Sequence, residues 1–192
     1  MAPRARIMLA VGLSLPPAGV LWVVLRHALP PIHDDPMGFA LGCSGAVLLL
    51  TLALGIEAVA HERLFHASID PLAGADSRRL VINQRYLRNT LEQAALFVPG
   101  LFLLARHVGD LRVVAATAIL WTLGRWAYWV GYHVDPAWRG FGIFSMGISL
   151  VTLAYGVGTF GYALAGWTGT AALIGPFLVI EAYLFRTLRR PA

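Results

Sequence analysis

The sequence predicts an all-α integral membrane protein with about six transmembrane helices. Of its 192 residues, 58% are hydrophobic and 13% are charged, whereas a soluble domain averages about 45–50% apolar and about 25% charged residues. So many apolar residues cannot be buried in one compact core, which excludes an ordinary cytosolic enzyme. The same composition excludes a disordered chain and a fibrous repeat. A single cysteine also excludes a disulfide framework and a cysteine-based zinc cluster.

Six apolar segments are long enough to cross a bilayer, for which about 20 residues are needed. The first contains Pro16-Pro17, which predicts a kinked or short helix. The third begins as an amphipathic helix before it becomes fully apolar. The last apolar stretch is too long for one crossing, and its best turn is Gly166-Trp167-Thr168-Gly169. In chain order the predicted spans are residues 7–29, 38–60, 80–105, 111–133, 141–164 and 170–188.

The charged residues predict the orientation of these spans. All 15 basic residues are arginine, and a cytoplasmic N-terminus with six spans puts most of them on the cytoplasmic side, as the positive-inside rule requires. The orientation in a membrane therefore explains the basic isoelectric point of the chain, about 10.0, and no nucleic-acid partner is needed. The arginines on the predicted cytoplasmic side are Arg4, Arg6, Arg63, Arg78, Arg79, Arg85, Arg139, Arg186, Arg189 and Arg190.

The first span has an alternative interpretation as a signal peptide, because basic residues precede it. Its long apolar region and the lack of an A-x-A-like cleavage site favour a retained helix instead. The exclusive use of arginine and the richness in Ala, Gly and Leu are typical of a GC-rich bacterial genome. We therefore expect a bacterial inner membrane, with both termini in the cytoplasm.

Polar residues open the third predicted span, where an ionisable group costs about 2.5–3.5 kcal/mol at a helix centre and is a functional candidate by default. At about 100° per residue, Arg85, Asn89 and Glu92 lie within an arc of roughly 60° on one helix face. Gln93 lies at the edge of that arc. Arg88 and Glu92 are also spaced for an i, i+4 ion pair.

A second polar face closes the fourth predicted span. Arg125, Tyr128 and Tyr132 share a face about 60° wide, Pro136 then ends the helix, and Arg139 stands at the start of the next span. Taken alone, either group is also consistent with an interfacial belt or with interhelical hydrogen bonds. Two such groups on one side of the membrane favour a binding site for an anionic, hydrogen-bonding ligand.

In these residues the sequence resembles the family of membrane-associated proteins in eicosanoid and glutathione metabolism (MAPEG), which includes microsomal glutathione transferases. The family pattern is Arg, Asn four residues later and Glu three further on; the next helix ends with Arg, Tyr three residues on, then Gly-Tyr, and Arg seven residues after that. The matching residues are Arg85, Asn89, Glu92, Arg125, Tyr128, Gly131, Tyr132 and Arg139.

The resemblance covers residues 38–165 and implies a four-helix MAPEG-like unit there. Residues 1–37 are then an extra N-terminal transmembrane helix with an outer loop, and residues 166–192 an extra C-terminal helix with a basic tail. Two positions depart from leukotriene C4 synthase, a family member, which has Gln in place of Leu87 and Tyr in place of Gln93. Gln93 can still form hydrogen bonds, whereas Leu87 cannot.

The resemblance also implies an activity. A homotrimer would bind glutathione between neighbouring subunits at the cytoplasmic end, and the glutathione thiolate would attack a lipophilic electrophile or a lipid hydroperoxide. Arg139 would be the catalytic residue that stabilises the thiolate. The implied glutathione-binding residues are Arg85 and Arg125 for the carboxylates, and Asn89, Glu92, Gln93, Tyr128 and Tyr132 for the remaining polar groups.

Two other functions remain open from the sequence. One is a noncatalytic lipid-binding membrane protein of the same fold. The other is a small transporter, which is disfavoured because the polar residues cluster at one side instead of lining a path across the bilayer. A metal site is not expected, since His61 and His66 lie about 140° apart on a helix and metalloprotease histidines are spaced i, i+4.

Overall fold

The computed structural model describes residues 2–66, 69–72 and 74–188, so Arg189 and Arg190 of the predicted basic tail lie outside the described residues. Every regular element in this part of the chain is helical. The elements are α1 (Pro3–Ala28), α2 (Pro36–Leu48), a π-helical turn (Leu49–Ala53), α3 (Leu54–Phe65), α4 (Arg78–His107), α5 (Leu111–Val134), a 3-10 turn (Trp138–Gly142) and α6 (Phe144–Thr187).

The helices agree with the predicted apolar segments, with two differences of detail. The π-helical turn joins α2 to α3, so residues 36–65 form one continuous helical segment. α1 runs for 26 residues through Pro16 and Pro17, so the two prolines do not shorten it. Both prolines are exposed.

Four helical segments of the described chain are long and apolar enough to cross a membrane, by length and composition: Arg4–Ala28, Pro36–Phe65, Leu111–Val134 and Trp138–Thr187. α4 differs from them because its first half carries the polar motif, while its second half is apolar. The 50-residue segment contains the two last predicted spans, since an unbroken helix of that length would measure about 75 Å against a hydrocarbon core of about 30 Å.

A break divides α6 at Ala165 and Gly166, so it begins one residue before the predicted turn and includes the first residue of that turn. Gly166 has a φ of 61°, a left-handed conformation that glycine adopts at little cost. Gly161 and Gly169 then pack so closely that a Cβ on Gly161 would lie 2.7 Å from the Gly169 carbonyl oxygen. Residues eight apart in a continuous helix are separated by about 12 Å, so the chain folds back at this point.

The apolar core lies between α2, α4 and α5, and α6 packs closely on α4 and α5. The rings of Phe97 and Trp121, both fully buried, stack with centroids 4.7 Å apart. The Trp121 indole Nε1 donates to Ser149 Oγ at 2.7 Å, so its polar atom is satisfied within the core. At Gly100 the helices approach so closely that a Cβ would lie 2.9 Å from the Leu153 backbone nitrogen. This packing fixes how the polar ends of α4, α5 and α6 are aligned with one another.

α1 runs antiparallel to α5 and is attached to it at both ends. Arg6 pairs with Asp135, after the end of α5, at 3.1 Å, and Arg26 lies 3.7 Å from Asp110, before its start. Between these ion pairs, the Trp22 indole donates to the Thr117 hydroxyl at 3.0 Å. The extra N-terminal helix is therefore part of the folded bundle.

Candidate functional site

One end of the bundle carries the predicted site residues, and we call it the Arg139 end. It consists of the start of α4, the end of α5 and the 3-10 turn. The Ser77 hydroxyl caps α4 by accepting from the Leu80 N–H at 3.0 Å, as N-cap serines do. At the other side, Asp135 follows α5 and accepts from the Ala137 N–H at 2.7 Å. That hydrogen bond and the nearby Arg6 hold the pKa of the Asp135 carboxyl below its usual value.

The 3-10 turn packs against α5 through a close approach of their two backbones. A Cβ on Gly131 would lie 2.7 Å from the Trp138 carbonyl carbon, so only glycine fits there. Gly142 packs equally closely against the backbone at Tyr128. These two glycines place Arg139, between them in the turn, next to the aromatic face of α5.

The two predicted polar faces meet across α4 and α5. Arg85 Nη1 donates to the Tyr132 hydroxyl at 2.9 Å, and Arg125 Nη2 donates to Asn89 Oδ1 at 3.0 Å. The structure therefore brings together residues that the sequence placed in separate motifs.

Arg125 lies at the centre of this arrangement and is fully buried. It donates to Thr90 Oγ1 at 3.0 Å and to Ser145 Oγ at 3.4 Å. Its guanidinium carbon lies 4.6 Å from the ring centroid of Tyr128 and 5.5 Å from that of Tyr86, which is cation–π distance. Within the described chain no carboxylate pairs with it, and its Nε has no hydrogen-bond partner. A buried positive charge is thus left without a counter-ion.

Gln93 connects Asn89 to the start of α6. Its Nε2 donates to Asn89 Oδ1 at 3.2 Å, and its Oε1 lies 3.2 Å from Ser145 Oγ. The Asn89 oxygen therefore accepts from both Gln93 and Arg125. This leaves the Asn89 amide N–H groups as the donors that can serve a ligand.

Arg139 lies against the aromatic residues of α5. Its guanidinium carbon is 5.3 Å from the ring centroid of Tyr132, and Tyr132 in turn meets Tyr128 edge-on at 5.8 Å between ring centroids. Among the described residues Arg139 has no ion-pair partner within 4.0 Å. Its N–H groups are therefore available to an anion.

Glu92 lies outside this network. It is exposed and pairs with Arg88 at 3.1 Å, the i, i+4 pair that the sequence also allowed. Arg85 is exposed on the same helix, so the outer face of α4 is open beside the site. In the part of the chain that the structure describes, no group of three potential metal ligands is found.

Sequence reasoning missed Tyr86, Thr90 and Ser145, all of which surround Arg125. Thr90 and Ser145 are fully buried polar residues, and a buried polar side chain needs a partner. That need was the available signal, although the sequence did not say which partner each residue would have.

The site thus combines three arginines, two amides and two tyrosines at one end of a helical membrane bundle. The MAPEG family model matches residues 40–159, well over half of the chain, and this stretch contains every residue of both motifs. No curated protein matches the chain, and neither does any solved structure. α1 and the part of α6 after its break lie outside the matched stretch. With its apolar helices and this match, the chain belongs to the MAPEG family of integral membrane proteins.

Proposed function

We propose that this protein is a membrane-bound glutathione transferase that activates the glutathione thiolate toward a lipophilic electrophile. The observation that carries the proposal is the fully buried Arg125, which has no carboxylate partner among the described residues. It lies over the ring of Tyr128, and the adjacent Tyr132 contacts both Arg85 and Arg139. A buried charge is costly without a partner. Glutathione has two carboxylates and a thiol, which suits an end with three arginines and few acids.

The contacts support the following binding roles within this proposal. Arg85 is exposed and contacts a glutathione carboxylate directly, because a guanidinium binds a carboxylate through two parallel N–H groups. The resemblance implies that Arg125 also binds a carboxylate, but Arg125 is fully buried and donates to the Asn89 oxygen. Its role in the proposal is therefore to attract the carboxylates through its charge while it holds Asn89. The Asn89 N–H groups then donate to the peptide part of glutathione, and Glu92 accepts from its amine after leaving Arg88.

Arg139 supplies the chemistry. A free thiol has a pKa of about 8.5, and a neighbouring cation lowers it, which raises the nucleophilic fraction at neutral pH. With an aryl halide, the thiol proton goes to solvent and the sulfur forms a bond to the ring carbon. The carbon–halogen bond breaks, and halide leaves with the electron pair. No covalent bond to the enzyme is needed.

We further propose a homotrimer in a bacterial inner membrane, with the Arg139 end in the cytoplasm. The distribution of arginines supports the orientation, since the opposite end of the bundle has only Arg26, Arg106 and Arg112 in the described chain. The open outer face of α4 supports a neighbouring subunit that completes the glutathione site.

The experiment is conjugation of a chromogenic aryl halide to glutathione by the purified protein, compared with Arg139→Ala. We expect the variant to lose roughly 10²–10³-fold in rate, the usual effect of removing one group that stabilises an anion in an active site. The ultraviolet absorbance of bound thiolate should appear at higher pH. Arg78→Ala is the control, because Arg78 is exposed at the same end of α4 and forms no hydrogen bond or ion pair with the site among the described residues.

Two results contradict the proposal. If the wild-type protein binds glutathione but does not turn over any electrophile, the transferase function is wrong and a noncatalytic binding protein is favoured. If Arg139→Ala leaves the pKa of the bound thiol unchanged, the role of Arg139 is wrong.

A further inference from the structure

An apolar cavity of about 870 Å³ lies between α1, α5 and α6. Its volume is within the range of about 300–1,000 Å³ that is typical of small-molecule sites. The lining is almost entirely apolar, and Trp22 with Thr117 forms a hydrogen bond within the wall. Such a lining fits an alkyl or aryl group rather than a polar ligand.

The cavity is a gap between helices that are firmly joined elsewhere. α1 is held at one end by Arg6 and Asp135 and at the other by Arg26 and Asp110. Next to the first ion pair, a Cβ on Gly140 would lie 2.8 Å from the Ile7 carbonyl oxygen. The first turns of α1 are thus closely packed, and the space opens between the two ion pairs, from Val11 to Trp22.

The opening faces sideways, toward the surface that membrane lipid covers. The lining residues Leu15, Met146, Val151 and Tyr155 are all exposed. From Val11 to Trp22 the α1 wall extends about 16 Å, roughly half of the hydrocarbon core of a bilayer. A lipophilic molecule dissolved in the membrane can enter without crossing water.

The cavity also adjoins the glutathione site. Phe144 lines it, and the Phe144 ring packs on α5 at Gly124, where a Cβ would lie 2.8 Å from the ring. The next residues in the two helices are Ser145 and Arg125, which contact each other in the site. One aromatic ring therefore lies between the apolar space and the buried cation.

We propose that this cavity binds the apolar tail of the lipophilic electrophile, with its reactive carbon directed toward the thiolate at Arg139. This rests on the proposed transferase function. The α1 wall lies outside residues 40–159, the stretch that the family model matches, so the tail site is built partly by a helix added to the family unit. The occupant we infer is the cosubstrate, because the cavity adjoins the site of its reaction.

The first test measures binding without turnover. The probe is an unreactive alkyl phenyl ether with bromine along its chain, which quenches nearby tryptophans. We expect quenching in the wild type and its loss in Trp22→Phe. Gly147→Leu should also weaken it, because Gly147 lines the cavity and has no atom within 4 Å of an added Cβ. Gly175→Leu is the matched control: Gly175 has equally open space but does not line the cavity, so its quenching should equal that of the wild type.

The second test measures specificity. Gly147→Leu or Gly19→Leu should raise the KM for a long-chain alkylated aryl halide by about tenfold or more, since each displaced CH₂ loses about 0.8 kcal/mol of apolar burial. The KM for a short, water-soluble aryl halide and the Kd for glutathione should stay unchanged. Gly175→Leu should change none of these values.

The outcomes separate the two proposals. Turnover without Trp22 quenching, or an equal rise in KM for both aryl halides, overturns the tail site and leaves the transferase. Quenching of Trp22 by brominated phospholipid that the probe cannot displace assigns the cavity to membrane lipid and overturns the tail site. Quenching by the probe without turnover of any electrophile overturns the transferase function and, with it, the assignment of the occupant as a cosubstrate.

Discussion

The Arg85 guanidinium donates a hydrogen bond to the Tyr132 hydroxyl at 2.9 Å, across 47 residues of sequence. The contact joins the first turns of α4 to the last turn of α5, and it orients the one arginine of the site that is exposed. Because Tyr132 occupies only one of the five N–H donors of a guanidinium, Arg85 keeps donors for a ligand. Arg85 is therefore held in position without a bound ligand.

Arg85→Ala should raise the Kd for glutathione by about 10–100-fold, because hydrogen bonds to charged groups contribute about 1.5–3 kcal/mol. Tyr132→Phe should have a smaller effect in the same direction, since this variant keeps the Arg85 cation but removes the hydrogen bond that orients it. Isothermal titration calorimetry measures both changes, and the double variant gives their coupling. Arg78→Ala, exposed on the same helix and not joined to the site, should bind normally. An equal loss in Arg78→Ala would assign the effect to general positive potential.

Thr90→Val should destabilise the protein by about 1–3 kcal/mol, because it removes an oxygen that accepts from the buried Arg125. Thr122→Val is the matched control. Thr122 is also buried, but its hydroxyl donates only within its own helix, to the Ala118 carbonyl. Thermal unfolding in detergent should show a clearly lower Tm for Thr90→Val than for Thr122→Val. Equal Tm values would mean that Thr90 does not stabilise the Arg125 charge.

The sequence predicted the helices and the convergence of the two motifs, for identifiable physical reasons. Long apolar segments have few alternatives to membrane helices, and α4 and α5 are joined by a short connection, so their facing polar residues had to be near each other. Arg85 with Tyr132 and Arg125 with Asn89 are the result. The sequence did not decide the contact of Glu92, because its side chain can face either the site or Arg88.

The contacts of Ser145 with Arg125 and of α1 with α5 could not be predicted from the sequence. Ser145 reaches Arg125 only because α6 packs on α4 at Gly100 and on α5 at Gly124, and the register of helix packing is not encoded in hydropathy. The ion pair of Arg6 with Asp135 joins residues 129 apart. Many arginines and acids in the chain have compatible charge, so only the folded bundle selects this pair.

Gly131→Ala should displace the 3-10 turn and lower both stability and conjugation rate. A Cβ at Gly131 would lie 2.7 Å from the Trp138 carbonyl carbon, and forcing an extra methyl into a packed contact typically costs about 1–3 kcal/mol. The same shift moves Arg139 from the thiolate. Gly45→Ala is the control, since Gly45 is helical with open space around it and should gain up to about 1 kcal/mol in helix propensity. Tm and the conjugation rate measure both effects. A Gly131→Ala protein with wild-type values would show that the turn is not held by this approach.

Asp135→Asn should weaken the attachment of α1, and the effect should depend on pH. The Ala137 N–H and then Arg6 hold the pKa of Asp135 below its usual value. A carboxyl with a lowered folded-state pKa contributes stability that is complete above its unfolded pKa, about 3.9, and is lost as the pH falls through the lower folded value. The Tm difference between wild type and Asp135→Asn should therefore be largest near neutral pH and disappear in acid below that range.

Asp34→Asn is the control for this charge change, because Asp34 is exposed and accepts a hydrogen bond from the N–H of the adjacent Asp35. It should lower the Tm little at any pH. Hydrogen exchange locates the effect: protection in the first turns of α1 should fall in Asp135→Asn at neutral pH, since Arg6 loses its charged partner there. A Tm difference that persists unchanged into acid would show that Asp135 acts through the shape of the turn and not through its charge.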